Sequence, residues 1–438
     1  MWGRLLLALC LAVGVQAQED PMDLLRRVQA RVADSADRMP RYMCTQTIDR
    51  ALYERDVHDR KSACDEGPVR RRTHLTSTDR LRLDVGMTAT AEIYAWVGEN
   101  RFHDRDLLDM VHEGAISTGS FGAYLNAIFR TDDASFTYNG ETAQDGRTLS
   151  EFGYRVPYEK SHYRYGLMQH SAITGYDGTF LVDTKTADLV RLVVRTSRLP
   201  TETGACYAST TLDYGRVRLR GADFLLPSSS TLRIFHIDGG EAENRTVYSN
   251  CHEFLGESTL RFDTPPDVIV PESRHGTGPR AFSIPQGLPF RVALTQSIDT
   301  ATAAAGDPIK AKLITTIRDG SEVLVPTGAV IAARIVRIRQ FYGGAPALYF
   351  DIKLETVDVG GVSIRLTATP DSGRSFRKSR SGILQRRVEL GTLRGLEERS
   401  ASFVFRNVKQ SYLIGSGLES MWVTAAQVVG DSVSTIPK

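Results

Sequence analysis

The spacing of apolar residues near the start of the chain predicts one amphipathic helix over residues 21–38. Asp20 can cap its first turn, Pro21 suits the first helical position, and Pro40 ends it. The apolar residues recur at helical spacing at Leu24, Leu25, Val28 and Val32. The apolar face formed by these four residues is ordinary for a globular protein. It therefore favours a helix that packs on a sheet over one that binds a membrane surface or a partner protein.

After Pro40 the pattern changes to the alternation typical of β-strands, interrupted by two short helical segments at 106–112 and 122–129. Asn139-Gly140, Asp177-Gly178 and Asp238-Gly239-Gly240 predict hairpin turns. Strands are expected over 41–50, 73–85, 91–98, 163–174, 179–183, 189–197, 207–219, 229–237 and 245–257. This order has no βαβ rhythm, so residues 18–262 are predicted to form an α+β domain with a curved antiparallel sheet or half-barrel and short helices.

A second β region is predicted to follow a proline-rich linker at 263–286, which contains five prolines. Its strands are expected over 290–298, 308–316, 322–325, 330–340, 347–356, 362–369 and 402–405. Short strands at this spacing indicate a small β-barrel or sandwich over residues 287–438. The chain is therefore predicted to be a mainly β protein of two domains.

The first 17 residues read as a secretory signal, with Arg4, an apolar run over 5–15 and cleavage after Ala17. This run is shorter than the roughly 20 residues of a membrane-spanning helix. Leu9 precedes Cys10 where lipid attachment would need a small residue. No later stretch is apolar enough to span a membrane, so we expect a periplasmic or secreted protein without a transmembrane segment after signal cleavage.

Four cysteines follow the signal, and an even number in an exported chain predicts disulfides. Four cysteines allow three pairings. The spacing favours the local pairs Cys44 with Cys64 and Cys206 with Cys251. The sequence has no CxxC and no metal-ligand spacing, which indicates structural bridges and no metal site.

Charge is unevenly distributed along the 438 residues, although the net charge is only +2. Residues 281–438 contain 20 Lys and Arg against 13 Asp and Glu, whereas residues 18–280 contain 33 against 39, which supports the two-domain division. The basic residues include a run at Arg374, Arg377, Lys378, Arg380, Arg386 and Arg387. This run is either an anion-binding loop for lipid phosphate or an anionic envelope polymer, or a solvated loop between strands. Export and a single aromatic residue, Phe376, argue against nucleic acid as a partner.

Catalytic motifs are absent from the sequence. Gly119-Ser120-Phe121-Gly122 departs from the Gly-x-Ser-x-Gly elbow, and the His-Glu pairs at 112–113 and 252–253 lack the second His of HExxH. A phosphate loop and a dinucleotide fingerprint are also missing. We therefore expect a protein that is not an enzyme and has no cofactor.

Two stretches of the first domain resemble the periplasmic lipoprotein-sorting carriers and related anti-sigma-factor regulators. They are Gly175-Tyr-Asp-Gly-Thr-Phe-Leu-Val-Asp183 and Leu189-Val-Arg-Leu-Val-Val-Arg195. The segments 42–48 and 119–125 also resemble exported proteins of Gram-negative bacteria. This resemblance implies a curved sheet that carries an apolar inner face behind a helix.

The second domain contains Ile284-Pro-Gln-Gly287, Gly306-Asp307 and Val325-Pro-Thr-Gly-Ala329. This series is similar to the β-barrel domain of type IV secretion outer-membrane channel subunits. The similarity implies the fold and not a pore.

These observations favour a non-enzymatic envelope protein that binds an apolar or amphiphilic ligand, such as a lipid or a lipoprotein, in the first domain. The residues expected to line an apolar cavity are Tyr124, Leu125, Phe129, Phe136, Tyr138, Phe180 and Leu192. For each of these, a place in a filled core is the alternative. An envelope scaffold that contacts other proteins is the second hypothesis, and an unrecognised hydrolase is the third.

Overall fold

The structure is a computed structural model that describes residues 20–56, 64, 73–88, 91–99, 102, 107–111, 113–166, 170–253, 284–371 and 399–426. The predicted signal, the basic run at 374–387 and most of the predicted linker lie outside the described residues. Among the residues that are described, no helix is long and apolar enough to cross a membrane.

The described residues form three α-helices and 24 β-strands. The helices are α1 (Pro21–Arg38), α2 (Leu107–Met110) and α3 (Ala123–Phe129). The strands of the N-terminal region, residues 20–253, are β1 (Tyr42–Arg55), β2 (Thr73–Met87), β3 (Glu92–Trp96), β4 (Ser135–Gln144), β5 (Arg147–Val156), β6 (Arg164–Tyr165), β7 (Ala172–Ile173), β8 (Tyr176–Asp183), β9 (Leu189–Thr196), β10 (Ala205–Leu219), β11 (Ala222–His236) and β12 (Glu241–Glu253). Those of the C-terminal region, residues 284–426, are β13 (Pro289–Leu294), β14 (Ile298–Asp299), β15 (Pro308–Leu313), β16 (Ile317–Asp319), β17 (Glu322–Val325), β18 (Val330–Phe341), β19 (Ala347–Val359), β20 (Val362–Arg365), β21 (Ala368–Pro370), β22 (Ser400–Arg406), β23 (Leu413–Ile414) and β24 (Glu419–Thr424).

The predicted first helix is confirmed with its cap. The Met22 backbone N–H donates to Asp20 Oδ1 at 2.9 Å, which satisfies one of the unpaired amides of the first turn. The four predicted apolar residues are buried, and they pack with α3 against the N-terminal sheet. Burial of each such side chain contributes about 1.5–3 kcal/mol, so packing stabilises α1 more than its local propensity does.

The mainly β class with a curved antiparallel sheet is confirmed. In the N-terminal region the strands lie in the order β4-β5-β8-β9-β10-β11-β12-β1-β2-β3, and each neighbouring pair is antiparallel. In the C-terminal region the order is β21-β24-β13-β15-β18-β19-β22, with β20 also on β19. Among the described strands, this second sheet is not closed into a barrel.

Two of the three predicted hairpin turns are wrong. Asn139-Gly140 lies inside β4 at a bulge, and the chain reverses instead at Asp145 and Gly146, whose φ angles of 51° and 73° suit a tight hairpin. Asp177-Gly178 lies inside β8. There a Cβ on Gly178 would stand 1.8 Å from the Val193 carbonyl oxygen, so glycine serves a close approach of two strands. The third turn, at 238–240, joins β11 to β12 as predicted.

Strand β2 joins the two regions into one sheet. Its outer edge pairs with β18 at Ser77–Asp79 and with β3 at Leu83–Met87. Between these two ladders, the Arg82 N–H donates to the Ala305 carbonyl and the Ala305 N–H donates to the Arg80 carbonyl, both at 2.8 Å. Backbone groups along this edge are therefore satisfied by the C-terminal region. The boundaries of the two predicted domains stay a prediction.

The favoured cysteine pairing is wrong, although all four cysteines form disulfides. Cys44 is bonded to Cys251 and Cys64 to Cys206, with Cα separations of 4.0 and 5.2 Å. Strands β1 and β12 are neighbours in the sheet, so Cys44 faces Cys251 across 207 residues of sequence. A disulfide that closes a loop of this length contributes about 5 kcal/mol in the chain-entropy treatment.

Candidate functional site

The candidate site is the face of the N-terminal sheet on which α1 and α3 pack, called here the covered face. At one end of it the seven residues predicted to line a cavity come together. Tyr124, Phe129, Phe180 and Leu192 are buried in one cluster, Leu125 and Phe136 are half-buried against it, and Tyr138 is 37% exposed.

The aromatic rings at this end pack directly on one another. The Phe180 ring centroid lies 5.0 Å from that of Phe129 and 5.2 Å from that of Phe152, and Tyr138 lies 5.4 Å from Phe152. Such pairs are favourable beyond the area that they bury. In this arrangement the cluster is closed, and an open ligand cavity between these residues stays a prediction.

Beyond the aromatic cluster, the middle of the covered face is polar. Five side chains form this polar belt, each exposed by 6% or less: Gln46, Thr210, Ser230, Asn244 and Thr246. Strand register accounts for their proximity, since Ser230 is directly opposite Thr246 and Thr246 is directly opposite Ile48 on β1. Residues on alternate positions of adjacent strands point to the same face, so the belt crosses β10, β11, β12 and β1.

Buried tyrosine side chains lie in the aromatic cluster and beside the polar belt. Tyr124 stacks on Tyr163 with ring centroids 5.9 Å apart, and the Tyr248 hydroxyl lies 3.4 Å from Ser230 Oγ. Tyr214 is also buried, and its hydroxyl has no hydrogen-bond partner among the described residues. Burial raises the pKa of Tyr214 above its ordinary value, and the nearby Tyr248 raises it further. The Tyr214 hydroxyl therefore stays protonated and can donate.

A segment with no recognisable motif covers the polar belt; it comprises residues 113–121 and is called the covering segment. The Glu92 carboxylate accepts from the Gly119 N–H at 2.7 Å and from the Phe121 N–H at 3.0 Å. Asn244 Nδ2 donates to the Ala115 carbonyl at 2.8 Å. The Phe121 ring meets Tyr248 edge-on at 4.8 Å. Sequence reasoning missed Glu92 because its partners are backbone amides that only the fold brings near.

The covered face as a whole is amphiphilic. At one end, aromatic and aliphatic side chains pack together. In the middle, hydroxyl and amide groups lie beneath the covering segment. A molecule with an apolar body and a polar group that accepts a hydrogen bond matches this order. Within the described part of the chain, no group of three or more His, Cys, Asp or Glu side chains is placed to hold a metal ion.

Two solved structures are similar in fold to this chain. Neither a family model nor a curated protein matches the chain. A DUF1329 family protein from Desulfovibrio piger has a similar structure, at 10% identity and a TM-score of 0.28, over 56% of this chain and 98% of the other. A domain from Vibrio parahaemolyticus named as an outer membrane lipoprotein-sorting protein is similar at 9% identity and a TM-score of 0.28, over 54% of this chain and 94% of the other. At these scores, neither likeness assigns a function.

Proposed function

We propose that this chain is a non-enzymatic exported envelope protein that binds an amphiphilic ligand, such as a lipid or the acyl part of a lipoprotein, on the covered face. The observation that carries the proposal is the buried hydroxyl of Tyr214, at the border between apolar cluster and polar belt. Two disulfides between distant segments support a location outside the cytoplasm.

The Tyr214 hydroxyl, unpaired among the described residues, destabilises the ligand-free protein. A buried hydroxyl without a partner costs about 1–3 kcal/mol, which an apolar side chain of the same shape would avoid. A ligand oxygen that accepts from Tyr214 would recover this energy. The adjoining aromatic side chains would then surround the apolar part of the ligand after α1 or α3 shifts away from the sheet.

The packed state of the aromatic rings favours a second candidate function. With Phe129, Phe152 and Phe180 in mutual contact, the same face also serves as a closed core. The chain would then be a structural scaffold of the envelope that presents its surfaces to other proteins. The two functions differ in whether a ligand accompanies the purified protein.

The test is native mass spectrometry of the mature protein purified without detergent, followed by titration with a fluorescent palmitate analogue. We expect a bound acyl species, removed by solvent extraction, and saturable binding of the probe. The variant Tyr214→Phe should weaken probe binding by about tenfold, the effect of one lost hydrogen bond. The control Tyr158→Phe alters a tyrosine that is 63% exposed and should bind normally. A bare protein that leaves the probe free would favour the scaffold.

A further inference from the structure

A cleft of about 390 Å³ lies where the N-terminal and C-terminal regions meet. Strands β1, β2 and β12 supply one wall, and the other comes from β18, β19 and the loops at 300–303 and 410–411. The cleft is separate from the covered face, because Asp49 and Arg245, which alternate with buried residues of that face, point into it.

Four charged side chains point into this cleft, and they form two pairs. Asp49 is paired with Arg80 at 2.5 Å and Arg245 with Glu243 at 2.6 Å. Arg50 and Asp79 also border the cleft, but their side chains point to the covered face, where they bond each other at 2.6 and 2.8 Å. A charged ligand would have to compete with these internal partners and would find no net charge of opposite sign. The walls are therefore suited to an uncharged ligand whose polar groups can both donate hydrogen bonds and accept them.

The floor of the cleft is apolar. Ile338, Leu348 and Ala303 are buried beneath it. Hydroxyls stand at its sides, where Thr78 Oγ1 and the Tyr342 hydroxyl lie 3.0 Å apart. A hydroxyl group both donates and accepts, so this lining is suited to a partner with the same dual capacity. Sugars combine such hydroxyls with an apolar C–H face of the ring.

We propose that this cleft binds a neutral saccharide of one or two rings, as a free sugar or as a unit of an envelope glycan. The C–H face of a ring lies on the apolar floor, and the sugar hydroxyls bond the paired charges and the hydroxyls of the walls. Such a site would attach the molecule to glycan at the junction of its two regions, while the covered face acts independently.

The experiment is isothermal titration calorimetry of the mature full-length protein with maltose, N,N′-diacetylchitobiose, inorganic phosphate and capped trialanine. The variant Ser411→Trp places an indole at the mouth of the cleft. The control Ser321→Trp changes another exposed serine of the C-terminal region, in the turn between β16 and β17. Unchanged melting temperatures will show that both variants are folded.

We expect saturable binding of at least one disaccharide and a loss of at least about tenfold in affinity in Ser411→Trp, with none in Ser321→Trp. Three results would overturn the proposal. Neither disaccharide binds; or a disaccharide binds equally well to Ser411→Trp; or trialanine or phosphate binds in place of the sugars, which would assign the cleft to peptides or anions.

Discussion

Replacement of Asp79 by Asn should loosen the connection between the two regions. Asp79 Oδ2 accepts from Arg339 Nη2 at 2.8 Å and Nε at 3.1 Å, in addition to the two bonds with Arg50. The Asp79 side chain is 9% exposed, and those of Arg50 and Arg339 are 9% and 18% exposed. Without the carboxylate, two arginines of different regions face each other with little solvent between them.

The expected loss in free energy of unfolding follows from the burial of Asp79 and its two arginine partners. Removal of one partner from a buried ion pair costs about 3–5 kcal/mol, because the remaining charge stays out of water. Arg339 keeps a second partner, Glu113, at 2.7 Å. We therefore expect a loss near the lower end, about 3 kcal/mol, from a total stability of about 5–15 kcal/mol.

The assay is equilibrium urea denaturation followed by circular dichroism, with hydrogen exchange of the Arg82 and Ala305 amides that bond across the junction. Both amides should exchange faster in Asp79→Asn. The matched control is Asp177→Asn, whose partner Arg195 lies 3.2 Å away with both side chains about half exposed. This pair should contribute about 0–1 kcal/mol. Equal losses in the two variants, or unaltered exchange at the junction, would show that Asp79 does not hold the two regions together.

Three further predictions concern the disulfides, a buried ion pair and alkaline pH. Peptide mapping under non-reducing conditions should recover Cys44 linked to Cys251; recovery of a local pair would contradict the strand order. Arg337 Nε lies 2.7 Å from the Asp351 carboxylate, and both side chains are buried. Asp351→Leu leaves the Arg337 charge without this partner and should lower the free energy of unfolding by about 3–5 kcal/mol in urea melts. The double variant Asp351→Leu/Arg337→Met removes both charges and should recover most of this loss. Burial raises the pKa of Tyr176 to about 12. The stability that the protonated Tyr176 hydroxyl contributes is complete below about pH 10, the pKa of tyrosine in the unfolded chain, and is lost as the pH rises towards 12. Urea melts at several pH values, with tyrosinate absorbance to follow ionisation, measure this loss. A free energy of unfolding that stays constant from about pH 10 to 12 would contradict the prediction.

The spacing of apolar residues along the chain was enough to predict the helix and strands that have one buried face. The helix over 21–38 was predictable to the residue, because its cap, its apolar spacing and the following proline lie within 20 positions. The strands were predictable as a class for the same reason, since alternation records which face of each strand is buried. Six of the seven residues predicted to line a cavity lie in or against one buried cluster, and the cavity itself stays a prediction.

Only the tertiary structure decided which strands are neighbours, because that depends on contacts far apart in sequence. Cys44 meets Cys251 since β1 lies beside β12, whereas spacing alone favoured Cys64. The polar belt likewise arises from register, which sets Ser230 opposite Thr246 without any local signal. The alternation of apolar and polar residues along the chain indicates which face of each strand is buried. Which strand lies beside it depends on backbone pairing and on packing across the whole sheet.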